Sequence, residues 1–335
     1  MRKNKTTCQQ DRYPPLQETQ GRGTLNIDDP DTHHPKPDHA PFTLFVVLCL
    51  LTRSAATTVV IAITPTGIVI GTDEKTQPAG TAVKVVLLKQ RFIVANIDIE
   101  TAKATDTGIV LYCFPQWTTE IDKKTSPKVS VTELSSIIKN NIPNTFNFII
   151  GAIKSGKLTR ENAQSVGLDP DGYIVEYIVA GYEHGSAVIH WITVLPDWDN
   201  HTVKEVSDTV LYPGEGDSAN PYIRPLGRHI GIDALQTTDS DEQRKLEKRI
   251  PIEFGIMRQK GTLTLNQASN VVRSILAIEI EAEPTYVGFP IAVVTVPRVR
   301  PGWSRTYRTD VSPLSTLPKN LSRREQQGGS PHPVH

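Results

Sequence analysis

A chain of 335 residues, 38% hydrophobic and 21% charged, carries enough apolar surface for a sizeable core and has room for one or two domains. Its 36 Lys and Arg residues balance 36 Asp and Glu residues, so no global field draws it to nucleic acid or to an anionic membrane, and a nucleic-acid function is disfavoured. The three cysteines, Cys8, Cys49 and Cys113, lack metal-ligand spacing.

Residues 1–40 are polar, rich in proline and charge, and without apolar periodicity, which predicts disorder. The apolar run that follows, Pro41 to Leu51, is shorter than the roughly 20 residues a membrane span needs, so no stable span is expected. Its residues 42–51 fit the hydrophobic region of a signal peptide. Ser54 and Ala56 supply the small residues three and one positions before a cut. A leader of residues 1–56 would then be removed, Thr57 would become the first residue, and the protein would be exported to a periplasmic or extracellular space. Cys113 would be left as a lone, buried, apolar residue. The long polar stretch before the run, and Arg53 after it, favour a second reading: a buried strand or core helix at 42–51, no cut, and a cytoplasmic protein.

From Thr57 to Thr64 the residues are β-branched and apolar, Pro65-Thr66-Gly67 reads as a turn, and Ile68 to Gly71 continue as strand up to Asp73. Val85 to Leu88 and Phe92 to Ala95 flank the polar Lys89-Gln90-Arg91 and predict a second hairpin. Helices are expected over Glu100 to Phe114 and over Val131 to Lys154. The second carries Leu134, Ile137, Ile138 and Ile142 at helical spacing, with a breaker at Pro143. Strands return at Tyr173 to Ala180, Ala187 to Leu195 and Ser207 to Tyr212. After a turn-rich loop at Pro213 to Ser218 come helices over Asp239 to Lys248 and Leu265 to Glu281, then a strand over Ile291 to Val296. Residues 298–335 lack apolar periodicity and are expected to be a disordered tail. Segregated runs of strands and helices give an α+β class and one folded domain over residues 57–297.

His33, His34 and His39 fall in the leader. His184, His190, His201 and His229 show no metal-binding spacing and read as loop or surface residues, so neither metal nor cofactor is implied. No phosphate-cradling glycine loop and no G-x-S-x-G elbow is present.

The stretch TTVVIAITPTGIVIGTDEKT, starting at Thr57, resembles the opening of proteasome β-type subunits in the N-terminal nucleophile hydrolase superfamily. Those subunits begin with Thr-Thr, run through one hairpin and reach an aspartate followed by an arginine; here Asp73-Glu74-Lys75 stands at the matching interval. Lys84 to Leu88 with Phe92 to Val94 resembles the family's lysine strand and its hairpin. Val179 to Tyr182, Tyr212 to Gly216, and Leu265 to Val296 resemble its later elements. The resemblance implies a four-layer αββα sandwich of two antiparallel sheets flanked by helices. It also implies a threonine amidohydrolase acting on a peptide or other amide, with a homo-oligomer as one arrangement.

In that reading Thr57 supplies both the nucleophilic hydroxyl and, once its α-amine is free, the base, because an α-amine titrates at about 7.7 to 8.0. Lys84 is the cation beside the nucleophile, and Asp73 orients it. Glu215, Gly216, Ser218, Glu283 and Thr285 are implied supporting residues, although the family's serine between glycines is replaced by Glu215 and its later aspartate and serine are missing. The oxyanion N–H falls near Ile97-Asp98, where a carboxylate is unfavourable. These departures support an alternative, a catalytically silent structural or binding subunit of the same fold. A further alternative is an unrelated exported α+β binding protein.

Overall fold

A computed structural model describes residues 49–53, 57–76, 80–104, 110–152, 172–212, 222–227, 230–235, 239–285, 287–299 and 305–309. Strands β2 (Thr58–Thr64) and β3 (Gly67–Asp73) are buried at every position. That two-sided burial explains why their sequence is rich in Val, Ile and Thr instead of alternating apolar with charged residues. The turn between them is closed by Thr64, whose Oγ1 accepts the N–H of Gly67 at 3.2 Å. Around this hairpin an antiparallel sheet forms in the order β12 (Tyr222–Gly227), β2, β3, β13 (Ile291–Pro297), β14 (Arg305–Thr309).

A second antiparallel sheet runs β1 (Cys49–Arg53), β7 (Phe92–Ala104), β9 (Val175–Glu183), β10 (Ser186–Asp197), β11 (Thr202–Tyr212). Strands β6 (Val85–Leu88) and β8 (Val110–Cys113) also pair with β7, while β4 (Lys75–Thr76) and β5 (Gly80–Thr81) pair with each other. The helices are α1 (Phe114–Lys124), α2 (Val131–Ala152), α3 (Ile230–Leu235), α4 (Asp241–Arg249), α5 (Pro251–Arg258) and α6 (Leu265–Ala282).

Three apolar layers hold these elements together. Val59, Ile61, Ile68 and Ile70 of one sheet meet Ile93, Ala95, Ile178 and Ile189 of the other. Outside the second sheet, Val94, Tyr177 and Ile192 pack on Phe114 and Ile121 of α1 and on Leu134, Ile138, Ile142 and Phe146 of α2. Outside the first, Val60, Val69 and Val293 pack on Val271, Val272, Ile275 and Leu276 of α6. The architecture is therefore the expected α+β sandwich of four layers, helix, sheet, sheet, helix. Gly71 lets α6 approach this closely, since a Cβ there would overlap Val272 and meet Leu276 Cδ1 at 2.9 Å.

Helix α2 begins with a reciprocal cap, Ser130 N–H to Glu133 Oε2 at 2.8 Å and Glu133 N–H to Ser130 Oγ at 3.1 Å. It continues through Pro143, the burial of Ile142, Phe146 and Ile150 offsetting the lost hydrogen bond. Among the described residues, the helix expected over Glu100 to Phe114 is absent. That stretch completes β7 and contains β8, because β1 and β8 both supply ladder partners there and Ile99, Ala102 and Tyr112 are buried in the layer under α2. Helix α1 starts at Phe114, with Pro115 in its first turn where no N–H is needed.

Two strands lie beyond the expected domain limits of 57 and 297, β1 at the end of the apolar run and β14 in the tail. Cys113 is buried, as expected, but disulfide-bonded. The lone thiol expected of a chain cut before Thr57 would also require that disulfide to be reduced, because peptide-bond cleavage leaves an S–S bond intact. Among the described residues, no helix is long and apolar enough to cross a membrane.

Candidate active site

Thr57 lies just before β2, Asp73 ends β3, and the register that pairs Val59 with Thr72 sets Thr58 beside Asp73. The Thr58 N–H donates to Asp73 Oδ1 at 2.9 Å. Lys84 lies just before β6, where its carbonyl accepts the Asn96 N–H of β7 at 2.8 Å, and its Nζ donates to Asp73 Oδ2 at 3.2 Å. Thr57, Thr58, Asp73 and Lys84 are all 0% exposed. Burial raises the Asp73 carboxyl above the ordinary carboxylate range; the Lys84 ammonium and the N–H groups of Thr58 and Gly288 pull it the other way.

The Thr57 hydroxyl meets the second sheet. Its Oγ1 accepts the N–H of Asp98 at 3.4 Å, and Asp98 has a φ of 78°, a left-handed conformation uncommon for a residue with a side chain. That N–H lies in the Ile97-Asp98 stretch named from the sequence. Gly227, at the end of β12, has a φ of 75°, and a Cβ there would overlap the Thr57 carbonyl. A side chain at 227 cannot coexist with this placement of Thr57.

Two residues not singled out from the sequence stand close to this group. Glu176 of β9 pairs with Ile97, accepts the indole N–H of Trp191 at 2.6 Å, and is pushed up to about 7 by burial and by the Asp98 charge. The signal that could have found it is a lone carboxylate in the apolar run VEYIVA. Asn96 is fully buried and donates through Nδ2 to the Ile99 carbonyl at 2.9 Å, bracing β7 where it turns at Asp98.

The implied supporting residues fare differently. Glu215, Gly216 and Ser218, like His229, lie outside the described residues. Glu283 closes α6, its N–H on the Glu279 carbonyl at 2.8 Å, and the Thr285 carbonyl accepts from Lys75 Nζ at 3.0 Å. The loop reaches Asp73 through the backbone of Gly288. His184 and His201 sit in turns, as expected, but His190 does not: it is a strand residue of β10, 3% exposed, with Nδ1 2.8 Å from Asp208 Oδ1 of β11.

While residue 56 is attached, the Thr57 nitrogen is a peptide nitrogen and no base. A cut before Thr57 would turn it into an amine on the same residue as the hydroxyl, which is the arrangement acyl transfer needs.

No family model matches the chain, and no curated protein matches it in sequence. Among solved structures it is similar to the Anbu (Gly-1) mutant from Hyphomicrobium sp. strain MC1, at 13% identity over 76% of this chain and 87% of that chain, with a TM-score of 0.36. A likeness that loose carries no argument about activity, and the fold stands on the layers described above.

Proposed function

We propose that this protein is an N-terminal threonine amidohydrolase of proteasome-like type, activated when a cut after Ala56 frees the Thr57 amine. The observation that carries the reading is the fully buried Asp73 carboxyl joining the Lys84 ammonium to the N–H of Thr58, the residue next to Thr57. A buried ion pair is weak evidence for stability, so a functional reason for keeping it is worth testing. In the reaction Thr57 Oγ bonds to the substrate carbonyl carbon, its proton passes to the α-amine, and the C–N bond breaks as the leaving amine takes that proton. Water then hydrolyses the acyl-threonine. Lys84 stabilises the hydroxyl as it loses its proton, and the Asp98 N–H is the candidate donor to the oxyanion. The substrate class is a peptide or other amide.

One observation favours the silent-subunit reading. The residue offering that N–H is itself an aspartate, and a carboxylate beside a developing oxyanion opposes catalysis. The test is hydrolysis of a fluorogenic peptide-amide panel by the processed protein and by its Thr57→Ala and Thr57→Ser variants. The amidohydrolase reading expects turnover that Ala abolishes and Ser retains in part. Absence of turnover by the processed parent supports the silent subunit, and turnover unchanged in Thr57→Ala overturns the assigned nucleophile.

A further inference from the structure

Away from Thr57, the first turn of α2 meets β9, β10 and β11 through a connected chain of polar side chains. Ser135 Oγ donates to Asp208 Oδ2 at 2.8 Å, Asp208 Oδ1 lies 2.8 Å from His190 Nδ1, and His190 Nε2 lies 3.3 Å from the Thr132 hydroxyl. The imidazole is nearly sealed from solvent, with 4% of its side chain exposed, whereas Thr132 is exposed. Thr132 stands at the wall of an open depression of about 560 Å³, with Val129 and Ile137 as apolar lining and Lys124 and Lys128 as cations.

Hydroxyl, imidazole and carboxyl in this order, each within hydrogen-bond reach of the next, form the constellation of nucleophile, base and orienter. In a neutral ring, an Nδ1–H directed at Asp208 leaves the lone pair on Nε2, facing Thr132. Ser135 fixes the second oxygen of Asp208, so the orienting group is itself held. A polar staple between a helix and a sheet has no need to end on an exposed residue, nor of a cavity beside it.

We propose that Thr132, His190 and Asp208 form a second acyl-transfer site, independent of Thr57, that takes small carboxylic esters. Thr132 Oγ bonds to the ester carbonyl carbon while its proton moves to His190 Nε2. The C–O bond to the alcohol breaks, and the departing alkoxide takes that proton from His190. Water, deprotonated in turn by His190, then releases the acid and restores the hydroxyl. Glu183 restrains the site: its Oε1 accepts the Thr132 N–H at 2.6 Å and its Oε2 the Thr132 hydroxyl at 3.1 Å. The carboxylate therefore holds both the nucleophile's N–H, a donor an oxyanion would use, and its hydroxyl proton, which must turn from Glu183 to His190 Nε2 before attack.

The experiment uses the full-length chain carrying Thr57→Ala, so that no activity can come from Thr57, with p-nitrophenyl acetate as the probe. The expected result is p-nitrophenol release with an acetyl group recovered by mass spectrometry on the peptide containing Thr132. Thr132→Val, at an exposed position, lowers release about 100-fold or more and Thr132→Ser retains it. His190→Gln also abolishes it, and Glu183→Gln raises it several-fold. Acetylation elsewhere, or release unchanged in Thr132→Val, overturns the proposal and leaves the network as a helix-to-sheet staple.

Discussion

The Lys84 ammonium donates to Asp73 at 3.2 Å with neither side chain exposed to solvent. Removing one partner strands the other. Lys84→Met is expected to destabilise the fold by about 3–5 kcal/mol. Asp73→Asn combined with Lys84→Met recovers most of that loss, because asparagine keeps an oxygen acceptor for the Thr58 N–H without burying a charge. Urea unfolding of the two variants beside the parent checks this, and equal losses in both would show that the charge itself is not what the pair compensates.

Glu176 sets a pH dependence. Its carboxyl rises from 4.5 to about 7 in the fold through burial and the Asp98 charge, with the Trp191 indole N–H opposing. Between those values the unfolded chain has lost this proton and the folded chain still holds it, so stability falls as pH rises through that window and levels off above it. Glu176→Gln removes this contribution, on the order of 2–3 kcal/mol across the window. The parent-minus-variant difference in unfolding free energy at pH 4.5 and pH 8 measures it, and a difference that does not change with pH contradicts the assignment.

Gly227 has a φ of 75° and no room for a Cβ against the Thr57 carbonyl. Gly227→Ala therefore costs about 1–3 kcal/mol through strain and displacement of Thr57. Thermal unfolding reads the cost. An unperturbed variant would mean that Thr57 sits farther from β12.

Asp98 holds a left-handed backbone, φ 78°, while its N–H reaches Thr57 Oγ1. Asp98→Gly keeps that N–H, suits that φ, and removes the carboxyl beside the developing charge. Peptide-amide hydrolysis by the processed variant is expected to rise, by up to about tenfold, over the processed parent. A fall would give the carboxyl a positive part in the reaction.

The hairpin that positions Thr57 and Asp73 was legible because both strands are rich in Val, Ile and Thr and Pro65-Thr66-Gly67 between them reads as a turn. Helix α2 was legible from its apolar spacing. The stretch after Phe92 misled because Glu100-Thr101-Ala102-Lys103-Ala104 has helix formers, whereas strand partners on both sides decide its structure. Strand β1 overlaps the strand offered as the second reading of 42–51, whereas β14 is short and gains its state from pairing with β13 in a stretch expected to be disordered. His190 was misplaced because its partners, Thr132 and Asp208, come from α2 and β11, and nothing in its own run AVIHWITVL announces them. Glu176, by contrast, was readable as a charge that an apolar strand must have a reason to keep.

N-terminal sequencing of the protein purified from its native host shows whether Thr57 carries a free amine, without which its hydroxyl and base do not form one catalyst. The mature chain is expected to begin Thr-Thr-Val-Val, at Thr57. A chain that retains residue 56, or starts at any other residue, contradicts that expectation.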